Sequence, residues 1–168
     1  DNRLPIYKAS FKKTAEKYDL DWQLLAAIGY QESYLKPNSV SPTGVRGLMM
    51  LTNNTARAMG VTDRVDPAQS IQGGAKYYDL MLSQYQDIPY PDRNWYALVA
   101  YNMGPGAVSQ IQKRLQNQGK NPNNWVVFYD YLNRNKASNG GYRQAVQYVT
   151  RIRAYVEHIK TSERWIDV

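Results

Sequence analysis

The stretch LLAAIGYQESYLKPNSVSPTGVRGLMM, residues 24–50, places an ionisable acid where an apolar helix ends. Its first residues predict a buried helix, and Pro37 disfavours helical geometry before it, so we expect the helix to end near Leu35 and Lys36. Residues 37–46 are rich in Pro, Ser and Gly and predict a loop. Gly47 then opens the apolar run Leu-Met-Met, which taken alone fits an ordinary entry into the core better than a binding surface. The stretch therefore predicts a helix, a loop and a second apolar segment around one carboxylate, Glu32.

Glu32 lies on the apolar face of this helix, because it follows Leu25 by seven residues and Ile28 by four. Burial disfavours the charged form of a carboxyl and raises its pKa, which keeps a general acid protonated near neutral pH. A buried structural acid that pairs with Arg or caps a helix fits the same pattern. The remaining glutamates have basic and polar neighbours and are expected on the surface: Glu16, Glu157 and Glu163.

Composition limits the classes of protein and site. The 168 residues fit one compact domain, and 43% hydrophobic residues suffice for a core. Without cysteine there is neither a disulfide framework nor a thiolate metal site, and the single histidine, His158, excludes a multi-histidine metal site and is expected to face solvent. The net charge of +7 favours an anionic partner. No apolar run is long enough to span a bilayer, and the first residues do not form a signal peptide, so we expect any targeting segment outside this sequence.

Helical periodicity extends along the whole chain. Pro5 suits a first helical turn, and Asp21, Thr52 and Ser70 are predicted N-caps of later helices. A further helix is expected to end near Met103, where Gly-Pro-Gly at 104–106 breaks the chain. Polar loops are predicted at 117–124 and 136–141. Apolar and aromatic residues at helical spacing are expected to face the core; they include Tyr7, Phe11, Ala15, Tyr18, Trp22, Leu25, Ile28, Ile71, Ala75, Tyr78, Leu82, Trp95, Leu98, Val99, Val108, Ile111, Leu115, Ala145, Val149, Ile152, Val156 and Ile159. The pattern predicts a mainly α domain.

Other chemistries find little support in the sequence. There is no Gly-x-Ser-x-Gly nucleophile motif and no phosphate-binding loop. The basic residues are scattered rather than interleaved with aromatics, so no nucleic-acid partner is expected. The 15 tyrosines suit sugar rings and nucleobases, although a Tyr-rich core and surface explains most of them.

Four motifs taken in order resemble the family 1 (soluble-type) lytic transglycosylases. They are QES at 31–33, SPTGVRGLMM at 41–50, AYNMGPG at 100–106 and YVTRI at 148–152. Each is weak alone, but the match runs from about Leu24 to Ile159, which is most of the chain. The resemblance implies a mainly α, lysozyme-like (goose-type) domain with a substrate cleft, over residues 1–168. The most similar branch carries an N-terminal module resembling periplasmic solute-binding proteins, which implies that this domain is the C-terminal module of a longer protein.

The resemblance also implies roles for single residues. Glu32 would be the catalytic acid, Tyr148 would hydrogen-bond it, and Ser41 would contact the N-acetyl group of the sugar. Substrate-binding roles fall on the residues that match the remaining motif positions: Gln31, Gly47, Leu48, Met49, Met50, Tyr101 and Asn102. Met50 departs from the family, which mostly has Gln there. Because a thioether donates no hydrogen bond, the sugar contacts of that Gln are not transferred.

The activity that the resemblance implies is cleavage of peptidoglycan without water and without a cofactor. Glu32 would protonate the glycosidic oxygen, and its carboxylate would then accept a proton from the muramyl C6 hydroxyl, which closes on C1. The expected partners are peptidoglycan glycan strands in the periplasm, with an upstream regulatory domain and any outer-membrane attachment outside this sequence. Two alternatives remain open: a hydrolytic muramidase of goose-lysozyme type, with Asp63 or Asp66 positioning water, and a non-catalytic glycan-binding module. Both aspartates also suit helix capping or loop hydrogen bonds.

Overall fold

The computed structural model describes the backbone of residues 2–166 and the side chains of residues 2–163. Over this range the chain is mainly helical. The eight helices are α1 Leu4–Tyr18, α2 Trp22–Ser33, α3 Asn53–Ala58, α4 Pro67–Ser83, α5 Asp92–Met103, α6 Pro105–Asn117, α7 Trp125–Asn135 and α8 Gly140–Ile166. The chain divides into two compact units, Asp1–Asp79 with Ile152–Val168, and Leu80–Arg151. The expectation of one catalytic domain over 1–168 stays a prediction.

In the first unit, α1 and α2 pack closely at a glycine. A Cβ on Gly29 would lie 2.9–3.2 Å from side-chain atoms of Leu48, Leu35 and Phe11, so the absence of a side chain lets these groups meet. The predicted cap of α2 is confirmed, because the Asp21 carboxylate accepts a hydrogen bond from the Gln23 N–H at 2.9 Å. The close contact fixes the end of α2 against the core.

The helix that carries Glu32 ends slightly before the predicted limit. α2 stops at Ser33, and Tyr34 and Leu35 both adopt left-handed backbone conformations, with φ of 53° and 60°. The N–H of Tyr34 still bonds the Tyr30 carbonyl at 2.8 Å. The left-handed residues turn the chain away from the helix axis two residues before Pro37, and Leu35 is fully buried after the turn.

The predicted cap of α4 is wrong, whereas that of α3 is confirmed. The Thr52 hydroxyl accepts a hydrogen bond from the Thr55 N–H at 3.0 Å. α4 begins at Pro67, and the Asp66 carboxylate caps it by accepting from the Gln69 N–H at 3.0 Å. Ser70 is fully buried inside the helix. The sequence Asp-Pro is a stronger helix start than an internal serine, because Pro suits the first turn and Asp the cap.

The second unit packs aromatic side chains around Tyr96. The Tyr96 ring lies 5.4 Å from that of Trp125 and 4.8 Å from that of Phe128, and all three are buried. Trp125 and Phe128 belong to α7, a helix that the sequence analysis did not single out. Its signal is present, since buried Trp125, Phe128 and Leu132 recur at spacings of three and four and the Asn124 side chain caps the helix by accepting from the Val127 N–H.

Most other predicted features agree with the structure. Of the residues expected to face the core, Tyr7, Tyr18, Trp22 and Trp95 are only half-buried, and the others are buried. The helix α5 ends at Met103, followed by Gly104 with φ of 91°. The extended pairings among the described residues are isolated bridges between Val40 and Arg46 and between Arg46 and Leu51. No helix in the described part of the chain is both long and apolar enough to cross a membrane.

Candidate active site

Glu32 combines partial exposure with a strongly shifted pKa. It is the penultimate residue of α2, and the residue as a whole is half-buried. Burial raises the pKa of Glu32 from 4.5 to about 8. Desolvation accounts for this shift, because a carboxylate loses more hydration than a neutral carboxyl when water is removed. The side chain therefore carries its proton at neutral pH and can donate it, as a general acid must.

The residue after Glu32 ties α2 to the segment Ser41–Leu51, which we call the 41–51 loop. The Ser33 hydroxyl donates to the Leu48 carbonyl at 2.7 Å and approaches the Gly29 carbonyl at 3.1 Å. Ser33 is buried, so its bond to the Leu48 carbonyl is shielded from solvent, whereas the Gly29 carbonyl also accepts from the Leu35 N–H at 3.5 Å. The loop and the catalytic candidate are thereby held in a fixed relation within the first unit.

Arg64 fixes the 41–51 loop from a second side. One guanidinium nitrogen, Nη1, donates to the Gly44 carbonyl at 3.0 Å and to the Leu51 carbonyl at 2.9 Å. The Arg64 carbonyl lies directly against Gly47, where a Cβ would overlap it. Gly47 also has φ of 90°, which favours glycine. The residues around Arg64 do not predict this role, because a hydrogen bond to a carbonyl twenty residues earlier leaves no pattern in the local sequence.

Part of the loop is core rather than binding surface. Leu48 and Met49 are fully buried, and Met49 packs against Gly74 of α4. The Ser70 hydroxyl, also buried, accepts a hydrogen bond from the Met49 N–H at 3.0 Å. Two predicted binding residues, Leu48 and Met49, therefore present no side-chain surface to a ligand. Met50 is half-buried, with a left-handed φ of 52°.

Ser41 uses its hydroxyl to shape the loop in this structure. The Ser41 Oγ accepts from the N–H of Thr43 and of Val45, both at 3.2 Å, and lies 2.9 Å from the Thr43 hydroxyl. These bonds set a turn, as Ser hydroxyls commonly do. Because a hydroxyl can also donate its own proton, these accepted bonds are compatible with a contact between Ser41 and an N-acetyl group. That contact stays a prediction. Gln31, also half-buried, lies one residue before Glu32 on α2.

The remaining predicted site residues belong to the second unit. Tyr101 is half-buried and Asn102 exposed, both in the last turn of α5 before Gly104. Tyr148 lies on α8 and is buried, hydroxyl included, with 3% of its surface exposed. The hydroxyl therefore does not face solvent, and a hydrogen bond from Tyr148 to Glu32 stays a prediction.

Asp63 and Asp66 have the local roles that the sequence left open. The Asp63 carboxylate accepts from the Val65 N–H at 3.0 Å, and the Asp66 carboxylate caps α4. A further carboxyl escaped the sequence analysis: Asp79, half-buried on α4, whose pKa is raised by burial. Its neighbours Tyr77, Tyr78, Leu80 and Met81 are aromatic or apolar, and this pattern was the available sign of its burial.

Metal-ligating side chains do not cluster in the part of the chain described. Groups of three or more His, Asp or Glu suited to a metal ion are absent there. His158 is exposed, as predicted, and so are Glu16 and Glu157. Glu163 differs from the expectation, because it is half-buried in an ion pair with Lys8 at 2.9 Å.

Comparison with known proteins identifies relatives across most of the chain. Residues 9–124 match the family profile described as "Transglycosylase SLT domain". The chain is 46% identical, over 97% of its length, to membrane-bound lytic murein transglycosylase F of Alcanivorax borkumensis. It is 56% identical, over 74% of its length, to the protein of the same name from Pseudomonas syringae pv. tomato. The matched regions span 37% and 25% of those relatives, so the chain covers only part of their length.

Solved structures show the same fold at low sequence identity. An inactive mutant of lytic transglycosylase Slt from Pseudomonas aeruginosa superposes with a TM-score of 0.68 and 23% identity, covering 89% of this chain and 23% of that one. The 70 kDa soluble lytic transglycosylase of Escherichia coli gives a TM-score of 0.68 and 22% identity over 92% of this chain and 24% of its own. The mainly α, lysozyme-like fold predicted from the motifs is thereby confirmed.

Proposed function

The chain belongs to the transglycosylase SLT domain family, and we propose on that premise that it is a peptidoglycan lytic transglycosylase. It cleaves the bond between N-acetylmuramic acid and N-acetylglucosamine without water and leaves a 1,6-anhydromuramyl end. The observation that carries the proposal is the Glu32 carboxyl, whose pKa of about 8 keeps it protonated at neutral pH. The names of the relatives, all lytic murein transglycosylases, support the substrate class.

In this mechanism Glu32 acts first as an acid and then as a base. Its proton passes to the glycosidic oxygen as the bond from that oxygen to the muramyl C1 breaks, and the muramyl acetamido group stabilises C1. The carboxylate then accepts the proton of the muramyl C6 hydroxyl while O6 bonds to C1. The proton is recovered and no water is consumed. One group serves both steps because its pKa lies near the working pH, which suits transfer in either direction.

The remaining site residues support binding and orientation in the proposal. Tyr148 orients the acid, and Ser41 contacts the N-acetyl group. Gln31, Met50, Tyr101 and Asn102 contact the glycan, whereas Gly47, Leu48 and Met49, all buried, hold the 41–51 loop in shape. The proposed place of action is the periplasm, on glycan strands of the cell wall.

The products of digestion test the proposal directly. Purified sacculi are digested with the chain and with a lysozyme, and the soluble muropeptides are compared by mass spectrometry. We expect each product of this chain to be one water lighter than its lysozyme counterpart. Products with a free reducing end would contradict the proposal and indicate a hydrolytic muramidase, and an absence of cleavage would indicate a glycan-binding module.

A further inference from the structure

The net positive charge of the chain is concentrated in residues 104–151, because this range contains few acidic residues. This range carries seven Lys and Arg residues and one acidic residue, which leaves fourteen basic and thirteen acidic residues in the rest of the chain. The acidic residue, Asp130, forms an ion pair with Arg134 at 2.9 Å. The segment thus supplies nearly all of the net charge of +7, within the second unit.

Two arginines of this segment are held in place where α6, α7 and α8 meet. The Arg114 guanidinium, on α6, donates from Nη1 to the hydroxyls of Tyr131 on α7 and Tyr142 on α8, both at 3.2 Å. Arg143 donates from Nη2 to the carbonyls of Lys136 and Ala137 at 3.1 and 3.3 Å. We call the group formed by Arg114, Tyr131, Lys136, Tyr142 and Arg143 the α7–α8 corner.

The partners of these arginines leave their charge uncompensated. Arg114 bonds phenols, and burial raises the pKa of the Tyr142 hydroxyl, so that partner is neutral at physiological pH. Arg143 bonds carbonyl oxygens, which are dipoles without net charge. Both arginines and Lys136 are exposed at the surface. Each guanidinium therefore keeps its charge and several N–H donors for an anion.

A guanidinium that is already oriented loses less side-chain freedom on binding. Arg114 keeps Nε and Nη2 to meet a carboxylate through two parallel hydrogen bonds, and Arg143 keeps Nε and Nη1 as charged donors. Two such groups beside a lysine suit a partner that carries several carboxylates. We infer that the α7–α8 corner binds the carboxylates of peptidoglycan stem peptides and so holds the chain on its polymeric substrate. The inference rests on the proposed function for the identity of the polymer.

The test measures binding rather than cleavage, so that its outcome is independent of the reaction product. The Glu32→Gln variant serves as the parent, and its binding to purified sacculi is measured by sedimentation. Arg114→Gln/Arg143→Gln removes two charges at the α7–α8 corner. Lys13→Gln/Arg57→Gln removes two exposed charges from the first unit and is the matched control. Sacculi whose carboxyl groups have been converted to methylamides provide the second arm.

We expect the corner variant to bind native sacculi about tenfold more weakly than the parent, the loss that two charge-assisted contacts would produce. The control variant should stay within about twofold, since exposed charges elsewhere act weakly through screened solvent. On amidated sacculi the corner variant and the parent should bind alike. If Arg114→Gln/Arg143→Gln fails to fold, Lys136→Gln/Arg143→Gln leaves the Arg114 cluster intact and carries the same expectation.

Equal loss in the corner and control variants would overturn the inference, because net charge alone would then account for binding. A corner variant that binds native sacculi like the parent would overturn it as well. A third arm uses phosphatidylcholine vesicles containing phosphatidylglycerol. A tenfold loss there, with none on sacculi, would assign the corner to a membrane surface instead. Failure of the proposed function would appear separately, as reducing-end products from the unmodified chain.

Discussion

At the scale of single residues, the fold places an acid where its proton is retained at neutral pH. The α2 backbone carries Glu32 to the end of an apolar face, and the left-handed residues Tyr34 and Leu35 turn the chain immediately afterwards. The sequence predicted both the buried position and the direction of the pKa shift. It could not predict the bond from the adjacent Ser33 to the Leu48 carbonyl, because the two residues are fifteen positions apart.

Replacing Glu32 by Gln should separate function from stability. Glu32→Gln removes the transferable proton, and we expect the rate on sacculi to fall below about a hundredth of the unmodified rate.

In the unmodified chain, the folded-state pKa of about 8 exceeds the ordinary value of 4.5, so the folded state retains a proton that the unfolded state loses between these pH values. Stability contributed by this proton is fully present below pH 4.5 and is lost as pH rises towards 8.

The melting temperature provides the check. Gln does not ionise, so the melting temperature of Glu32→Gln relative to the unmodified chain should rise between pH 5 and pH 8. The cleavage rate of the unmodified chain should fall as pH rises through about 8, as the carboxyl loses its proton. A stability difference that does not change with pH would show that the Glu32 pKa is not raised.

Tyr148 tests the orientation of the acid. We expect Tyr148→Phe to lower kcat about tenfold or more and to leave binding to sacculi nearly unchanged, because the ring that fills the core is kept and the hydroxyl is lost. Tyr96→Phe is the matched control in the same unit, since it also removes a hydroxyl from a buried ring, one that donates to the Pro122 carbonyl, and should leave kcat unchanged. Steady-state kinetics on sacculi decide the matter, and equal kcat in both variants would remove Tyr148 from the site.

At the scale of elements, the helices were largely predictable and the 41–51 loop was not. Apolar spacing located the helices because a helix buries residues that are three and four apart. The cap of α4 was misplaced at Ser70, whose hydroxyl serves the Met49 N–H instead. The loop depends on Ser33, Arg64 and Ser70, which lie in other elements and bond its backbone. Such bonds leave no periodic signal, so the conformation of the loop could not be predicted. The burial of Leu48 and Met49 fits the core interpretation of the apolar run, which the sequence left open beside a binding role.

Two loop glycines offer a matched pair for stability. Gly44 and Gly47 have nearly equal φ of 87° and 90°, but a Cβ on Gly44 meets open space, whereas one on Gly47 overlaps the Arg64 carbonyl. Gly44→Ala should therefore cost about 1–2 kcal/mol, the penalty of a left-handed backbone. Gly47→Ala should cost more than about 3 kcal/mol, since a backbone clash is added. Urea unfolding measures both, and equal costs would show that the loop readily moves away from Arg64.

Arg64 should matter for activity although it is not expected to touch the substrate. Arg64→Met keeps the apolar stem and removes the bonds to the Gly44 and Leu51 carbonyls. We expect kcat/KM on sacculi to fall about tenfold or more at a temperature where the variant is folded, because a small displacement near the reacting groups is costly. Arg64→Lys, which retains a donor, should recover part of the loss. Arg57→Met, an exposed change in the same unit, is the control, and full activity in Arg64→Met would contradict the role.

At the scale of the whole molecule, composition predicted the charge of the partner, and the motifs predicted the family and the fold. The net charge of +7 indicated an anionic partner but did not reveal that residues 104–151 supply most of it together with two oriented arginines. The motifs gave the family and the fold, which the profile match and the solved structures confirm. The chemistry remains a proposal, because lytic transglycosylases and muramidases differ in the nucleophile rather than in the acid.

Replacing each candidate water-positioning carboxylate separates the two chemistries. Asp63 and Asp66 are engaged in bonds to the Val65 and Gln69 N–H groups, and Asp79 is the remaining carboxyl with a raised pKa. If O6 of the substrate is the nucleophile, Asp63→Asn, Asp66→Asn and Asp79→Asn should each retain at least about a third of the cleavage rate, well short of the roughly hundredfold loss that removal of a general base produces. Their products should all be one water lighter than those of a lysozyme. Asp66→Asn should also cost little stability, since Asn caps helices about as well as Asp. Loss of activity in one variant, together with reducing-end products from the unmodified chain, would identify that aspartate as the residue that positions water.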